Sequence, residues 1–172
     1  MVVITATDAR TATTSFQFVD MLEASLRLRG IEFNTLIPST PIVDYNTSEA
    51  LNSEYLKQLD NIGKESDFHI DIRTYNFEYG SPTASLDFIV AQAIEVTDQG
   101  TNDALVGMLN NFSDTEEKTI RYESMFCSIY CALVLKLPTV CLIINDASFD
   151  LYRAAADELA EFVEQFFPRK ML

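Results

Sequence analysis

The stretch Phe68–Phe77 constrains the fold more than any other part of the chain, because its first half alternates strictly between two kinds of side chain. Apolar residues occupy every second position and polar residues the positions between them: Phe68, Ile70 and Ile72, against His69, Asp71 and Arg73. A period of two residues is that of a β-strand with one apolar and one polar face. Gly80 and Pro82 then predict a loop. Since α/β proteins usually build their sites where a strand ends in a loop, we expect the functional residues here.

Strands and helices alternate before this central strand. Four elements are predicted: a strand at Met1–Ala6, an amphipathic helix at Thr14–Arg29, a strand at Ile31–Ile37 and a polar helix at Ser48–Ile62. Gly30 and Gly63 are the predicted stops of the two helices.

The alternation continues after the central strand. The predicted segments are a helix or a strand at Ser85–Val96, an irregular region with a short helix at Asp98–Asn111, a helix at Thr115–Leu135, a buried parallel strand at Thr139–Ile144 and an amphipathic helix at Asp150–Phe167. This order predicts an α/β three-layer sandwich with a mainly parallel sheet, formed as a single domain over residues 1–172.

The net charge of the chain limits the classes of molecule that we expect it to bind. Its net charge of −14 argues against binding to nucleic acid or to an anionic membrane surface. No apolar stretch reaches the roughly 18 residues of a membrane span. The N-terminus has no secretory leader, and three cysteines indicate free thiols in a reducing compartment. We therefore expect a cytoplasmic rather than a secreted protein, with buried core thiols rather than a zinc site.

Common catalytic motifs are missing from the sequence. It contains neither a glycine-rich phosphate loop nor a G-x-S-x-G elbow. Its one histidine, His69, would have to serve any Ser-His-Asp triad, and a hydrolytic zinc site usually needs two or three histidines. A hydrogen-bonded core or surface histidine is therefore a better interpretation of His69 than a catalytic one.

Four segments, taken in order, resemble the N-formylglutamate amidohydrolase family, especially its compact members from large DNA viruses. These segments are VVITATDAR, VDYNTSEALNSEYLKQL, DFHIDIRTYNF and TVCLIINDA. They are similar to the family's forms VVITAPHAR, VDLNRSxSRNTxFRxxL, DFxLDVHSFP and LLIExN. The resemblance extends over roughly residues 1–167.

The departures from the family concern its metal site. The family's two metal-binding histidines correspond to Asp8 and Arg73, its arginine corresponds to Thr47, and its late glutamate has no clear counterpart. The resemblance therefore implies a vestigial pocket that binds no metal and no cofactor, formed by Asp8, Asp44, Asn46, His69, Asp71 and Arg73.

The replacement of a metal ligand by arginine has an electrostatic consequence. The guanidinium of Arg73 can supply the positive charge that a metal would bring, and Asp8 and Asp71 can pair with it. The sequence thus predicts an ion-pair cluster in place of a zinc site. The alternative is that Asp8 and Arg73 are solvated loop residues.

The function expected from this resemblance is that of a catalytically inactive amidohydrolase-like domain. It would be a structural or protein-interaction component, a minor part of a large DNA virus particle, with capsid or assembly proteins as partners. The C-terminal Phe166, Phe167, Met171 and Leu172 could dock on a neighbour or cap the domain's own core.

Two other functions remain open on the sequence. One is an active amidohydrolase that acts on N-acyl amino acids, with a metal or through Asp8, His69 and Asp71 alone. The other is a small-molecule or peptide binder that uses the old pocket.

Overall fold

A computed structural model describes residues 1–6, 13–37, 54–74, 87–89, 130–144 and 149–167. Its strands form one five-stranded sheet: β1 (Val2–Thr5), β2 (Phe33–Leu36), β3 (Phe68–Thr74), β4 (Asp87–Ile89) and β5 (Thr139–Ile144). The order is β2-β1-β3-β5-β4. The strands β2, β1, β3 and β5 are parallel to one another. At the edge of the sheet, β4 runs antiparallel to β5. The predicted mainly parallel sheet is confirmed.

Helices cover both faces of this sheet. They are α1 (Thr13–Leu28), α2 (Glu54–Lys64) and α3 (Phe149–Phe166), and a π-helical turn spans Tyr130–Val134. Buried side chains of α1 and α3 pack with Ile4 and Ile70 in the larger apolar core. Side chains of α2 and the π-helical turn pack with Val3 on the opposite face. This confirms the predicted three-layer α/β sandwich.

The apolar residues of the central strand β3 all face one core, as their alternation with polar residues predicts. Phe68, Ile70 and Ile72 are buried in the larger core against α1 and α3. His69 and Asp71 point to the other face of the sheet, yet both are 0% exposed. The polar face of β3 is therefore an interior surface at these two positions, on the same side of the sheet as Val3, which packs against α2 and the π-helical turn.

Gly30 ends α1 as its sequence position predicts. Its φ of 62° lies in the left-handed region, which glycine adopts without a steric cost. The backbone N–H of Gly30 donates to Arg27 O at 2.9 Å, and that of Ile31 donates to Leu26 O at 2.9 Å. These two bonds form a Schellman motif, which satisfies carbonyls at the helix end.

Gly63 has a different role from the predicted one. α2 continues through Gly63 to Lys64, and Gly63 is buried. A Cβ at this position would collide with the side chain of Leu135. The glycine therefore allows close packing of α2 against the segment before β5, and the prediction of a helix stop is wrong.

The described end of the helix predicted at Thr115–Leu135 is a π-helical turn, Tyr130–Val134; residues 115–129 lie outside the described residues. Leu135 N–H donates to Tyr130 O at 3.2 Å, five residues back, and Leu137 N–H donates to Cys131 O at 2.9 Å. Lys136 between them has a φ of 58°. Pro138 follows this wider turn, and its carbonyl accepts a hydrogen bond from His69 N–H at 2.9 Å.

Several other predicted segments fall partly or wholly outside the described residues. Positions 48–53, 85–86, 90–96, 98–111 and 115–129 are outside, and the strand β4 lies within the segment predicted as helix or strand. In the part of the chain that the structure describes, no helix has the length and apolar character needed to cross a membrane.

The end of α3 packs on the protein's own core. The rings of Phe167 and Phe68 stack with centroids 4.8 Å apart, and those of Phe166 and Phe162 stack at 4.7 Å. Both terminal phenylalanines are partly buried against the larger core. This favours core capping over docking for these two residues; Met171 and Leu172 lie outside the described residues.

Candidate functional site

Strand register brings four polar side chains together on the face of the sheet that carries Val3. In β1 and β3, Thr5 lies opposite Asp71. In β3 and β5, His69 lies opposite Thr139. Paired residues in a parallel sheet point to the same face, so Thr5, His69, Asp71 and Thr139 share one surface. We call these four residues the buried polar cluster.

Hydrogen bonds connect the buried polar cluster into a line. Thr5 Oγ1 lies 2.9 Å from His69 Nε2 and donates to Asp71 Oδ1 at 2.8 Å. On the other side of the imidazole, His69 Nδ1 lies 3.4 Å from Thr139 Oγ1. Thr139 Oγ1 donates to Leu137 O at 3.0 Å. The line therefore runs from a carboxylate to a backbone carbonyl through two hydroxyls and one imidazole.

Solvent does not reach this line in the described structure. Thr5, His69 and Asp71 are 0% exposed, and Thr139 is 4% exposed. On the same side of the sheet lies a smaller apolar cluster of Val3, Leu36, Leu56, Leu59, Cys131 and Leu137. Leaving a buried polar group without a partner costs about 1–3 kcal/mol. The hydrogen bonds of the cluster offset that cost, which explains why the polar groups are tolerated there.

Three of the four cluster residues, Thr5, His69 and Asp71, lie on β1 and β3, the two strands between which the sheet topology reverses. From β1 the chain moves to β2 on one side, and it then returns to β3 on the other side. In open α/β sheets ligands bind at such a switch point, outside the carboxyl ends of the strands. Thr5 is the last residue of β1. The connections at residues 7–12 and 75–86 lie outside the described residues.

The structure brings together two of the six predicted site residues. His69 and Asp71 are joined through Thr5. Asp8, Asp44 and Asn46 lie outside the described residues. Arg73 lies in β3 opposite Ile143, and its side chain is also outside the described part. The ion-pair cluster of Asp8, Asp71 and Arg73 therefore stays a prediction.

Two members of the cluster, Thr5 and Thr139, were not predicted as site residues. The sequence places Thr5 between apolar residues at the end of a strand and Thr139 at the start of another. Their alternation with Ile4 and Val140, which face the larger core, could have placed both on the opposite face. Their meeting with His69 depends on register, which the pattern of a single strand does not contain.

The order of groups differs from that of a catalytic triad. In a Ser-His-Asp triad the carboxylate accepts from the imidazole and the hydroxyl lies on the other ring nitrogen. Here the hydroxyl of Thr5 lies between the carboxylate of Asp71 and the imidazole of His69. This arrangement stabilises three strands against one another and does not present the hydroxyl to solvent.

The described residues around His69 lack the composition of the zinc site of the resembling family. Both ring nitrogens of His69 lie near threonine hydroxyls. Among the residues that the structure describes, no group of three or more histidine, cysteine or acidic side chains comes together to hold a metal. Cys131 is buried and forms no disulfide with a described residue, as predicted for core cysteines. We therefore assign no step to a metal.

A second polar group joins α2 to the π-helical turn. Asp60 accepts from Lys64 on its own helix and from Tyr130 Oη at 3.1 Å. The hydrogen bond from Lys64 lowers the pKa of Asp60. Burial raises the pKa of Tyr130, and the hydrogen bond to Asp60 raises it further. These contacts attach the covering helix to the segment that leads into β5.

Comparisons with protein-family models, with curated proteins and with solved structures found no match to this chain. The resemblance to the N-formylglutamate amidohydrolase family therefore stays a hypothesis based on the four sequence segments.

Proposed function

We propose that this chain is an amidohydrolase-like α/β domain that catalyses no hydrolysis and acts as a structural or protein-interaction component. One observation carries the proposal. His69 and Asp71, the acid–base pair that the sequence offers for catalysis, are fully buried and joined through Thr5.

Burial opposes a catalytic role for a simple geometric reason. A general acid or base must come within about 3 Å of the substrate proton that it transfers, directly or through one water. His69 and Asp71 are instead engaged in hydrogen bonds to neighbouring strands of the sheet and are completely buried. Because both side chains have 0% exposure, a substrate could reach them only if neighbouring groups moved.

The sequence departures support the same proposal. Asp8 and Arg73 stand where the resembling family has metal-binding histidines. A fixed guanidinium in that position would repel a divalent cation, so the family's metal-dependent reaction has lost its means of activating water.

Proteins are the partners that this proposal favours. The net charge of −14 suits a partner with a basic surface and opposes nucleic acid. By the sequence resemblance we place the domain in a large DNA virus particle or in the cytoplasm where such particles assemble, next to capsid or assembly proteins.

The enzymatic half of the proposal is tested with the full chain purified from zinc-supplemented medium. N-formylglutamate and related N-acyl amino acids are incubated with it, and zinc is measured by elemental analysis. We expect no turnover and less than about a tenth of an equivalent of zinc. Turnover that scales with protein concentration and disappears in Asp71→Asn would overturn the proposal.

A matched variant makes a negative result informative. Asp8→His with Arg73→His returns both histidines of the family pattern. Zinc binding by this double variant, with none by the wild type, would support the interpretation that the metal site has been lost.

The proposed location is tested separately. The amount of the chain is measured in purified virus particles and in the cytoplasm of infected cells. Depletion of the chain from the particles would contradict a role in the virion.

An amidohydrolase acting on N-acyl amino acids is the second candidate, and one observation favours it. Thr5 Oγ1 lies within hydrogen-bonding distance of both a base, His69, and an acid, Asp71, at the end of β1 beside the switch point. A substrate could use this hydroxyl only if the groups that bury it moved away. Equal turnover by wild type and Thr5→Val would argue against this candidate.

A further inference from the structure

The π-helical turn has a local sequence that favours an α-helix instead. No glycine or proline occurs from Tyr130 to Leu137, and Ala132, Leu135 and Lys136 are among the stronger α-helix formers. π-Helices are rare and occur mostly as single turns, often at functional sites. Lys136 after the turn has a φ of 58°, a left-handed conformation that is costly for a residue with a Cβ. A contact with another part of the protein must therefore select the π form.

Leu135 makes such a contact with α2. A Cβ at Gly63 would collide with Leu135 Cδ1, so the missing side chain of Gly63 leaves a notch that Leu135 fills. Leu137 Cδ1 lies 3.6 Å from the same Cβ position. Three residues earlier on α2, Asp60 accepts a hydrogen bond from Tyr130 Oη at 3.1 Å. Tyr130 and Leu135 thus both face α2.

The helical period explains why this double contact requires the π form. In the π-helical turn, Leu135 N–H donates to Tyr130 O, so the two residues are one turn apart and lie on the same side. In an α-helix each residue turns by about 100°, and residues five apart are therefore separated by about 140° around the axis. An α-helical turn that kept Tyr130 at Asp60 would carry Leu135 out of the notch at Gly63.

We propose that the segment from Tyr130 to Pro138 is a conformational switch with two forms. In the docked form, Leu135 fills the notch at Gly63 and the turn is π-helical. In the released form, the turn is α-helical, Leu135 N–H donates to Cys131 O, and Leu135 leaves the notch. The pairing of β5 with β3 is the same in both forms, so Lys136 and the residues next to it absorb the difference.

Two hydrogen bonds connect the switch segment to the buried polar cluster. Thr139 Oγ1 donates to Leu137 O at 3.0 Å, and His69 N–H donates to Pro138 O at 2.9 Å. Both acceptor carbonyls lie in the stretch that absorbs the difference between the two forms. Displacement of α2 from Leu135 would therefore alter these two hydrogen bonds, and the switch would transmit a movement of α2 to the centre of the sheet.

The acceptor of the Leu135 amide distinguishes the two forms, and it can be identified in the full chain. In protein labelled with ¹³C and ¹⁵N, the scalar coupling across the hydrogen bond reports which carbonyl accepts from Leu135 N–H. We expect Tyr130 C′ in the wild type. In Gly63→Ala, whose Cβ excludes Leu135 from the notch, we expect the coupling to move to Cys131 C′ and the His69 amide resonance to shift. Retention of the coupling to Tyr130 C′ in Gly63→Ala would overturn the proposal.

Two further variants separate the notch from a general effect on the helix. Leu135→Ala removes the side chain that fills the notch, so it should move the coupling to Cys131 C′ as Gly63→Ala does. Asn61→Ala changes an exposed residue of α2 and should leave the coupling at Tyr130 C′. A move of the coupling in Asn61→Ala as well would show that the turn responds to any change in α2, and it would overturn the role of the notch.

The exchange between the two forms can also be measured in the wild type, which keeps the test decisive if Gly63→Ala and Leu135→Ala do not fold. Relaxation-dispersion NMR detects a minor form that exchanges with the major one in microseconds to milliseconds. We expect such exchange at residues 131–136, with α-helical Cα shifts in the minor form. Flat profiles there would, in that case, overturn the proposal. These spectra depend on neither turnover nor zinc binding, so they succeed or fail independently of the proposed function.

Discussion

Thr5 and Asp71 lie directly opposite each other in the parallel pairing of β1 and β3, and the hydroxyl of Thr5 donates to Asp71 Oδ1 at 2.8 Å. Both residues are completely buried. A carboxyl group in such a place is stabilised by its hydrogen bonds rather than by water. The contact therefore connects β1 to β3 through side chains, in addition to the backbone pairing of the two strands.

The first prediction concerns the loss of that hydroxyl. Thr5→Val should lower the free energy of unfolding by about 1–3 kcal/mol, because His69 and Asp71 each lose this hydrogen-bond partner in the interior. Thr5→Ser retains the hydroxyl and should therefore lower the free energy of unfolding by clearly less. Urea denaturation followed by circular dichroism measures both values. Equal midpoints for the two variants would show that the hydroxyl contributes nothing to stability.

The end of α3 gives a second prediction. Phe167→Ala should destabilise the protein by about 1–3 kcal/mol, because Phe167 is partly buried and stacks on the fully buried ring of Phe68. Phe16→Ala is a suitable control, since Phe16 is 39% exposed on α1. Thermal unfolding should show the larger shift for Phe167→Ala. The reverse order would indicate that the tail does not cap the core.

Asp60 gives a prediction about acid stability. The Lys64 hydrogen bond lowers the pKa of Asp60 below its unperturbed 3.8. The ionised form is therefore favoured in the folded state, and its contribution to stability is present above pH 3.8 and is lost as pH falls through the lower folded pKa. Asp60→Asn should be less stable than the wild type at pH 7, and the difference should shrink in acid.

The control for Asp60 is an exposed acid on another helix. Asp20→Asn, on the outer face of α1, should show a smaller difference from the wild type at pH 7. Denaturation midpoints between pH 2 and pH 7 provide the comparison. A constant difference between Asp60→Asn and the wild type over this range would contradict the linkage.

Gly30 gives a fourth prediction. Gly30→Ala should cost about 1–2 kcal/mol, because an alanine at a φ of 62° brings its Cβ too close to the backbone. Gly30→Asn should cost less, since asparagine tolerates the left-handed region. Chemical denaturation of both variants measures the difference. A stability of Gly30→Ala equal to that of the wild type would show that the helix end relaxes into another conformation.

Local patterns were sufficient for much of the fold. The two-residue period of Phe68–Arg73 predicted β3, the continuous apolar run of Thr139–Ile144 predicted β5, and Gly30 predicted the end of α1. Each depends on residues that are close in sequence. Together with the alternation of elements, they were enough to predict a mainly parallel sheet between helices.

Features that depend on distant residues could not be predicted in the same way. Gly63 appeared as a helix stop because its packing partner, Leu135, is far away in the sequence. The alternation of β3 placed His69 and Asp71 on one face but did not reveal that both residues are completely buried. The participation of Thr5 and Thr139 required the register of three strands, which no single segment specifies.

The strand order β2-β1-β3-β5 has a consequence for how the protein folds. The strands β1, β2 and β3 come from the first 74 residues, whereas the contact between His69 and Thr139 spans 70 residues. Closing a loop of this length costs conformational entropy before its ends form any stabilising contact, and this cost slows folding. We expect a three-stranded N-terminal subdomain to form early and β5 to join late. During synthesis, therefore, the chain exposes one side of β3 until most of the polypeptide has left the ribosome, and in that interval it is most prone to aggregate.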